Sequence, residues 1–145
     1  MSTEPSPDLP LLPAIRSGTV IGLGTDIVEV DRIRQAYESH TERFLSRVFT
    51  EEEQRYCMGM KNPFPHLAAR FAAKEAVSKA FGTGICGLFE WKSVSIRKGE
   101  RGEPHAQLDE KAQRLLASIG GTNVIVSLSH TKVHAQATAI IIKAS

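Results

Sequence analysis

Apolar positions change their spacing midway along the chain, from the three-to-four period of helices to the alternation of strands. Val20-Ile21-Gly22-Leu23-Gly24-Thr25-Asp26 reads as a strand whose two glycines imply close backbone packing or a bulge. Asp26 and Glu29 then open a helix as a capping pair. Its apolar stripe is Val30, Ile33 and Tyr37, at i, i+3 and i+7. A further helical piece spans 43–49, and Thr50 with Glu53 forms a capping box for the next helix. Asn62-Pro63-Phe64-Pro65 is a loop, followed by a long helix over about 65–81.

Strands dominate the rest. Residues 90–97 alternate in their latter part, with Val94 and Ile96 on one face. Lys98-Gly99-Glu100-Arg101-Gly102 makes a hairpin-like turn into a short strand at 104–108. Asp109 caps a helix to Ile119 that Gly120-Gly121 closes. Two final strands, 123–129 and 135–143, are joined at His130-Thr131-Lys132. The order β–α–α–α–β–β–α–β–β predicts an α+β domain: a mainly antiparallel sheet packed with one long and several short helices. It covers 19–145, preceded over 1–18 by an extension with Pro5, Pro7, Pro10 and Pro13 that reads as flexible.

Composition narrows the classes. The 145 residues are 41% hydrophobic and 23% charged, with net charge +2, which is enough for one core and too balanced to argue for nucleic acid or membrane. Cys57 and Cys86 stand apart from each other and from any metal-ligand pattern, as reduced thiols of a cytoplasmic protein do. No stretch has the length or apolarity of a membrane span or a signal peptide.

Chemistry concentrates in Arg70-Phe-Ala-Ala-Lys-Glu75-Ala-Val-Ser78-Lys79-Ala-Phe-Gly82-Thr83-Gly84. Glu75, Ser78 and Lys79 fall at i, i+3 and i+4, neighbours on a helix surface. The ordinary role of such a pair is a surface contact stabilising by roughly 0.2–0.5 kcal/mol. A helix end needs one glycine, so the second suggests a backbone that approaches something. Lys79 beside glycine-freed N–H groups would suit a phosphate. Asp26 is ordinarily an N-cap, and its alternative role is as a hard-cation ligand. His130, Thr131, Arg32 and Arg43 have solvated surface as their default. The many alanines of the long helix permit another element to approach closely.

The pairing of Gly22-Leu-Gly-Thr-Asp26-Ile-Val-Glu-Val-Asp-Arg32-Ile33 with Arg70–Gly84 strongly resembles the holo-[acyl-carrier-protein] synthase family, small 4'-phosphopantetheinyl transferases, over about 19–143. The resemblance extends to Arg43-Phe44, Thr50 to Glu53, Gly102-x-Pro104 and Ser129-His130-Thr131. It implies transfer of 4'-phosphopantetheine from coenzyme A to a serine of acyl carrier protein in fatty acid biosynthesis, releasing adenosine 3',5'-bisphosphate. It also implies Mg²⁺ held by Asp26 and Glu75, with Glu75 and Lys79 catalytic. Coenzyme A would meet Ser78, Lys79, Gly82, Thr83, Gly84, Pro104, His130 and Thr131. The serine proton would pass to Glu75 or to water at the metal. Arg32 and Arg43 would receive the acidic carrier protein, arginine pairing with carboxylates in a geometry lysine does not match. Homotrimers with interface active sites are expected, helped by Gly22, Gly24 and the run Ile140-Ile141-Ile142. Glu103 departs from the family, where lysine is common.

Overall fold

The computed structural model describes residues 17–145, so the proline-rich extension lies outside the described residues apart from Ser17 and Gly18. Strand β1 (Gly18–Glu29) leads into helix α1 (Val30–Val48), α2 (Glu51–Met58) and α3 (Phe64–Ala80). Then come a 3-10 turn at Trp91–Ser93, β2 (Val94–Lys98), β3 (Pro104–Leu108), α4 (Glu110–Ser118), β4 (Asn123–His130) and β5 (His134–Ala144). The predicted order stands, and all pairing is antiparallel. The strands form two sheets, β1-β5-β4 and the hairpin β2-β3.

Two local expectations are corrected. Asp26 is no helix cap: β1 continues to Glu29, and Asp26 lies opposite Ala137 of β5. The alternation from Gly22 to Val28 keeps even positions against the core, and ladder pairing outweighs a cap of about 1 kcal/mol. Glu29 precedes α1 without a side-chain capping bond; its backbone is extended, and the N–H of Val30 bonds to Val133 O at 2.8 Å. The two helical pieces expected from the sequence are both present, run together as α1 across a non-helical break at His40 (φ −147°, ψ 52°). Residues 91–93 turn instead of pairing, because Ser93 and Glu90 bond each other reciprocally across that turn.

α3 is the centre of the molecule. Leu67, Ala68, Ala72, Ala73, Ala76 and Val77 are fully buried, and with Ala137, Ala139 and Ile141 of β5 they form the core. β1 lies directly on the α3 backbone. A Cβ on Gly24 would stand 1.9 Å from Ala76 O, and one on Gly22 2.2 Å from Ala80 O. The close approach that the alanines permit is therefore made, with glycine and alanine removing side chains from both surfaces.

Beneath α3 a polar network replaces apolar packing. Lys74 Nζ, wholly buried, donates to Glu53 Oε1 (2.8 Å), Val94 O (2.7 Å) and Trp91 O (2.9 Å). Glu53 Oε2 accepts from the Ile96 N–H, while Oε1 also caps Thr50, completing the expected capping box. One ion pair thus ties α3 to α2 and β2.

Candidate functional site

The packing of β1 on α3 decides the first cluster. Asp26 faces the helix two residues after Gly24, and Lys79 Nζ reaches its Oδ1 at 3.0 Å and Thr25 O at 3.1 Å. Glu75, one turn before Lys79, is half-buried. Burial pushes its carboxyl above the ordinary carboxylate range, and the Asp26 charge adds to this. Lys79 and Arg32 oppose the shift. The structure therefore brings Asp26, Glu75, Lys79 and Arg32 to one surface, although Asp26 and Glu75 are far apart in sequence.

The donor set is hard: two carboxylates beside a backbone carbonyl. Groups of three or more His, Cys, Asp or Glu able to hold a metal are absent among the described residues. A closed protein cage is thereby excluded there. A cation that keeps waters and takes substrate oxygens needs only one or two carboxylates, which these residues supply. The mutual repulsion that raises Glu75 is what such a cation would relieve.

Two expectations for this face are corrected. Ser78 does not share it: the residue is fully buried, and its hydroxyl donates to Glu75 O of its own helix at 2.7 Å. At i+3 from Glu75 and one residue before Lys79, Ser78 lies on the side of the helix against the core. The glycine turn does not offer free N–H groups either. Gly82 N donates to Lys79 O, and Thr83 and Gly84 N both donate to Ser78 O. Gly82 (φ 79°) and Gly84 (φ 65°) are in the left-handed region, with open space where a Cβ would stand. Their left-handed conformation serves the helix end, and within the chain no other segment approaches them.

A second cluster lies elsewhere on α3. A cavity of about 300 Å³ is lined by Tyr56, His66, Arg70, Lys98, Pro104 and His130, among others. His130 and Pro104 meet here as the sequence suggested, and exposed Thr131 follows His130. Sequence reasoning missed His66, Arg70 and Lys98. The i, i+4 spacing of His66 and Arg70 was the available signal, but nothing local tied it to β2 or β4. Glu103 turns away, to His105 Nε2 at 3.1 Å and the Arg101 N–H at 2.9 Å. Arg70 and Glu75 are five residues apart on α3, about 140° around the helix and about 7.5 Å along it.

Arg32 and Arg43 are exposed on α1, where Arg43 lines a groove with His40, Phe44 and Arg47 beside the break. The outer face of the three-stranded sheet carries Leu23, Ile140 and Ile125 in register, with Ile27 four residues further along β1. Leu23 and Ile27 are 65% and 66% exposed. Gly22 and Gly24 spend their close approach within the chain, on α3, so they leave that face to the apolar side chains. No helix among the described residues is long and apolar enough to cross a membrane.

Residues 22–136 match the family model of the 4'-phosphopantetheinyl transferase superfamily. A holo-[acyl-carrier-protein] synthase of Chlamydia trachomatis serovar L2 is 47% identical over 121 residues, which are 83% of this chain and 98% of that protein. The crystal structure of the Neisseria meningitidis synthase is similar at a TM-score of 0.80 and 32% identity, covering 85% of this chain and 98% of that one. The Bacillus anthracis synthase in complex with CoA (3',5'-ADP) is similar at a TM-score of 0.72 and 31% identity, covering 86% and 98%.

Proposed function

The chain belongs to the 4'-phosphopantetheinyl transferase superfamily, and from that premise we propose how it works. It catalyses the transfer of 4'-phosphopantetheine from coenzyme A to a serine of apo-acyl carrier protein, a step of fatty acid synthesis. The product beside the holo-carrier is adenosine 3',5'-bisphosphate. The observation that carries the site assignment is the meeting of Asp26, Glu75 and Lys79 across the β1–α3 contact.

Asp26 and Glu75 would hold Mg²⁺, which when bound would supply positive charge to the pyrophosphate oxygens of coenzyme A. The serine oxygen forms a bond to the β-phosphorus while the pyrophosphate bond to the leaving nucleotide breaks. Lys79 holds an ammonium where negative charge accumulates on those oxygens. The serine proton passes to Glu75 or to a water beside the cluster. Arg70, Lys98, His130 and Thr131, with the Gly102–Pro104 turn, receive the nucleotide end of coenzyme A.

Since α3 points Arg70 and Glu75 in different directions, one chain's nucleotide pocket does not open onto its own carboxylates. A neighbouring copy completes the site, and we assign a homotrimer joined through the outer face of Leu23, Ile27, Ile125 and Ile140. Arg32 and Arg43 receive the acidic carrier protein. The enzyme works in the cytoplasm, where Cys57 and Cys86 remain thiols.

Incubating the protein with coenzyme A, Mg²⁺ and apo-carrier, then weighing the carrier, tests the reaction: the phosphopantetheine mass is expected. An unchanged carrier mass refutes it. Sedimentation equilibrium showing a stable monomer at micromolar concentration refutes the trimer.

A further inference from the structure

His66 and Arg70, one turn apart on α3, look into the cavity bounded by α2, the β2–β3 hairpin and the end of β4. The His66 and His130 rings meet edge to face at 5.3 Å, and His66 meets Tyr56 at 5.9 Å. The Arg70 guanidinium stands 4.3 Å above the Tyr56 ring, with the Lys98 ammonium 5.5 Å from the same ring. Arg70 is only 6% exposed, and its buried Nε has no hydrogen-bond partner among the described residues. A buried donor left unpaired is costly, so its presence here points to a ligand that completes it.

The chemistry of that ligand follows from the lining. No carboxylate borders the cavity, and Glu52 nearby is held by Arg97 at 3.0 Å. Arg97 also borders it but is paired with Glu52, so two cations, Arg70 and Lys98, and two imidazoles face one small space. The complement is a compact group with several oxygens and two negative charges, a phosphate monoester dianion.

We propose that His66, at the 3'-phosphate end of this nucleotide pocket, takes up a proton when the phosphate dianion binds. The inference rests on the nucleotide-pocket reading above and adds a residue and a proton to it. The groups facing His66 are Tyr56 from α2, Arg70 from α3, Arg97 and Lys98 from β2, and His130 from β4. Cys57, beyond Arg70, stays a neutral thiol, pushed up to about 11 by burial. In the empty cavity, burial first and then the charges of His130, Arg70 and Lys98 hold His66 below its ordinary value. A dianion replaces that repulsion with attraction and draws the proton on.

By reciprocity, a ligand that binds with proton uptake binds more tightly as pH falls. The phosphate's own second ionisation, near pH 6, works in the opposite direction, because acid depletes the dianion. The imidazole thus keeps affinity for coenzyme A and for the bisphosphate product where the phosphate alone would lose it.

Calorimetric titration of the whole protein with adenosine 3',5'-bisphosphate at neutral pH, in two buffers of different ionisation enthalpy, counts the protons. AMP, which is the bisphosphate without its 3'-phosphate, is the control. The wild type is expected to take up a substantial fraction of a proton with the bisphosphate and almost none with AMP. His66→Phe keeps a ring against Tyr56; it should lose that uptake and bind the bisphosphate about fivefold or more weakly at mildly acidic pH, the scale of an ordinary coupling. Equal uptake in the wild type and H66F, or none in the wild type, overturns the role of His66 while leaving the pocket standing. A bisphosphate that binds no better than AMP at any pH overturns the pocket reading and this inference with it.

Discussion

Gly24→Ala tests the contact on which both fold and site depend. The added Cβ would stand 1.9 Å from Ala76 O, 2.7 Å from Ala80 N and 2.9 Å from Ala76 C. All three are helix backbone atoms, which cannot rotate aside. Restoring a contact of about 3.5 Å requires β1 to lift from α3 by roughly 1.5 Å. Overpacking of this kind costs about 1–3 kcal/mol, and the absence of a flexible neighbour places G24A at about 3. Asp26 follows on the same face of the strand, so the lift also carries its carboxylate away from Lys79 and Glu75. A misplacement of about 1 Å costs on the order of 10²-fold in rate. Urea unfolding should be run at one fixed protein concentration, because assembly adds to apparent stability. Gly87→Ala is the control: nothing lies within 4 Å of its Cβ, and its stability should hold or rise by about 0.4–1 kcal/mol. If G24A unfolds at the wild-type urea concentration and keeps its turnover, β1 does not rest on α3 as described.

Asp26→Asn and Glu75→Gln should each reduce transfer to background with circular dichroism unchanged, since an amide offers a hard cation no anionic oxygen; near-normal turnover at ordinary Mg²⁺ concentration would remove the metal assignment. Lys79→Ala should lower kcat by about 10²-fold or more if the ammonium follows developing charge, whereas a rise in the coenzyme A KM alone would make it a binding residue. Lys74→Met strands Glu53 in the core and should cost about 3–5 kcal/mol in denaturant titration, much of it recovered by adding Glu53→Gln. A loss below about 1 kcal/mol would mean that the network is not closed as seen. Arg32→Glu should raise the KM for the carrier and blunt its salt dependence while coenzyme A affinity holds; the reverse pattern would misplace the docking surface.

Much of this protein was written in local chemistry. Thr50 and Glu53 form a capping box because both partners lie within one turn, and Asp109 caps α4 through the Ala112 N–H for the same reason. The alternation after Val94 and the alanine-rich course of α3 set strand and helix, because periodicity is read over a few residues. The paired segments around Asp26 and Glu75 named the family, and Glu75 and Lys79 share a helix face by spacing alone.

What the tertiary structure decided was every relation between distant segments. Asp26 was taken for a cap because its helix-side neighbours suited one, but pairing with β5, more than a hundred residues away, kept it in a strand. That pairing, and the absence of side chains at Gly22 and Gly24, aimed its carboxylate at Lys79. Ser78 looked like a third functional group until packing turned it inward. Nothing local singles out Arg70 and His66; β2 and β4 enclose them beside His130. Spacing fixes which side chains share a helix face; which face is covered, and by what charge, depends on contacts whose partners no local window contains.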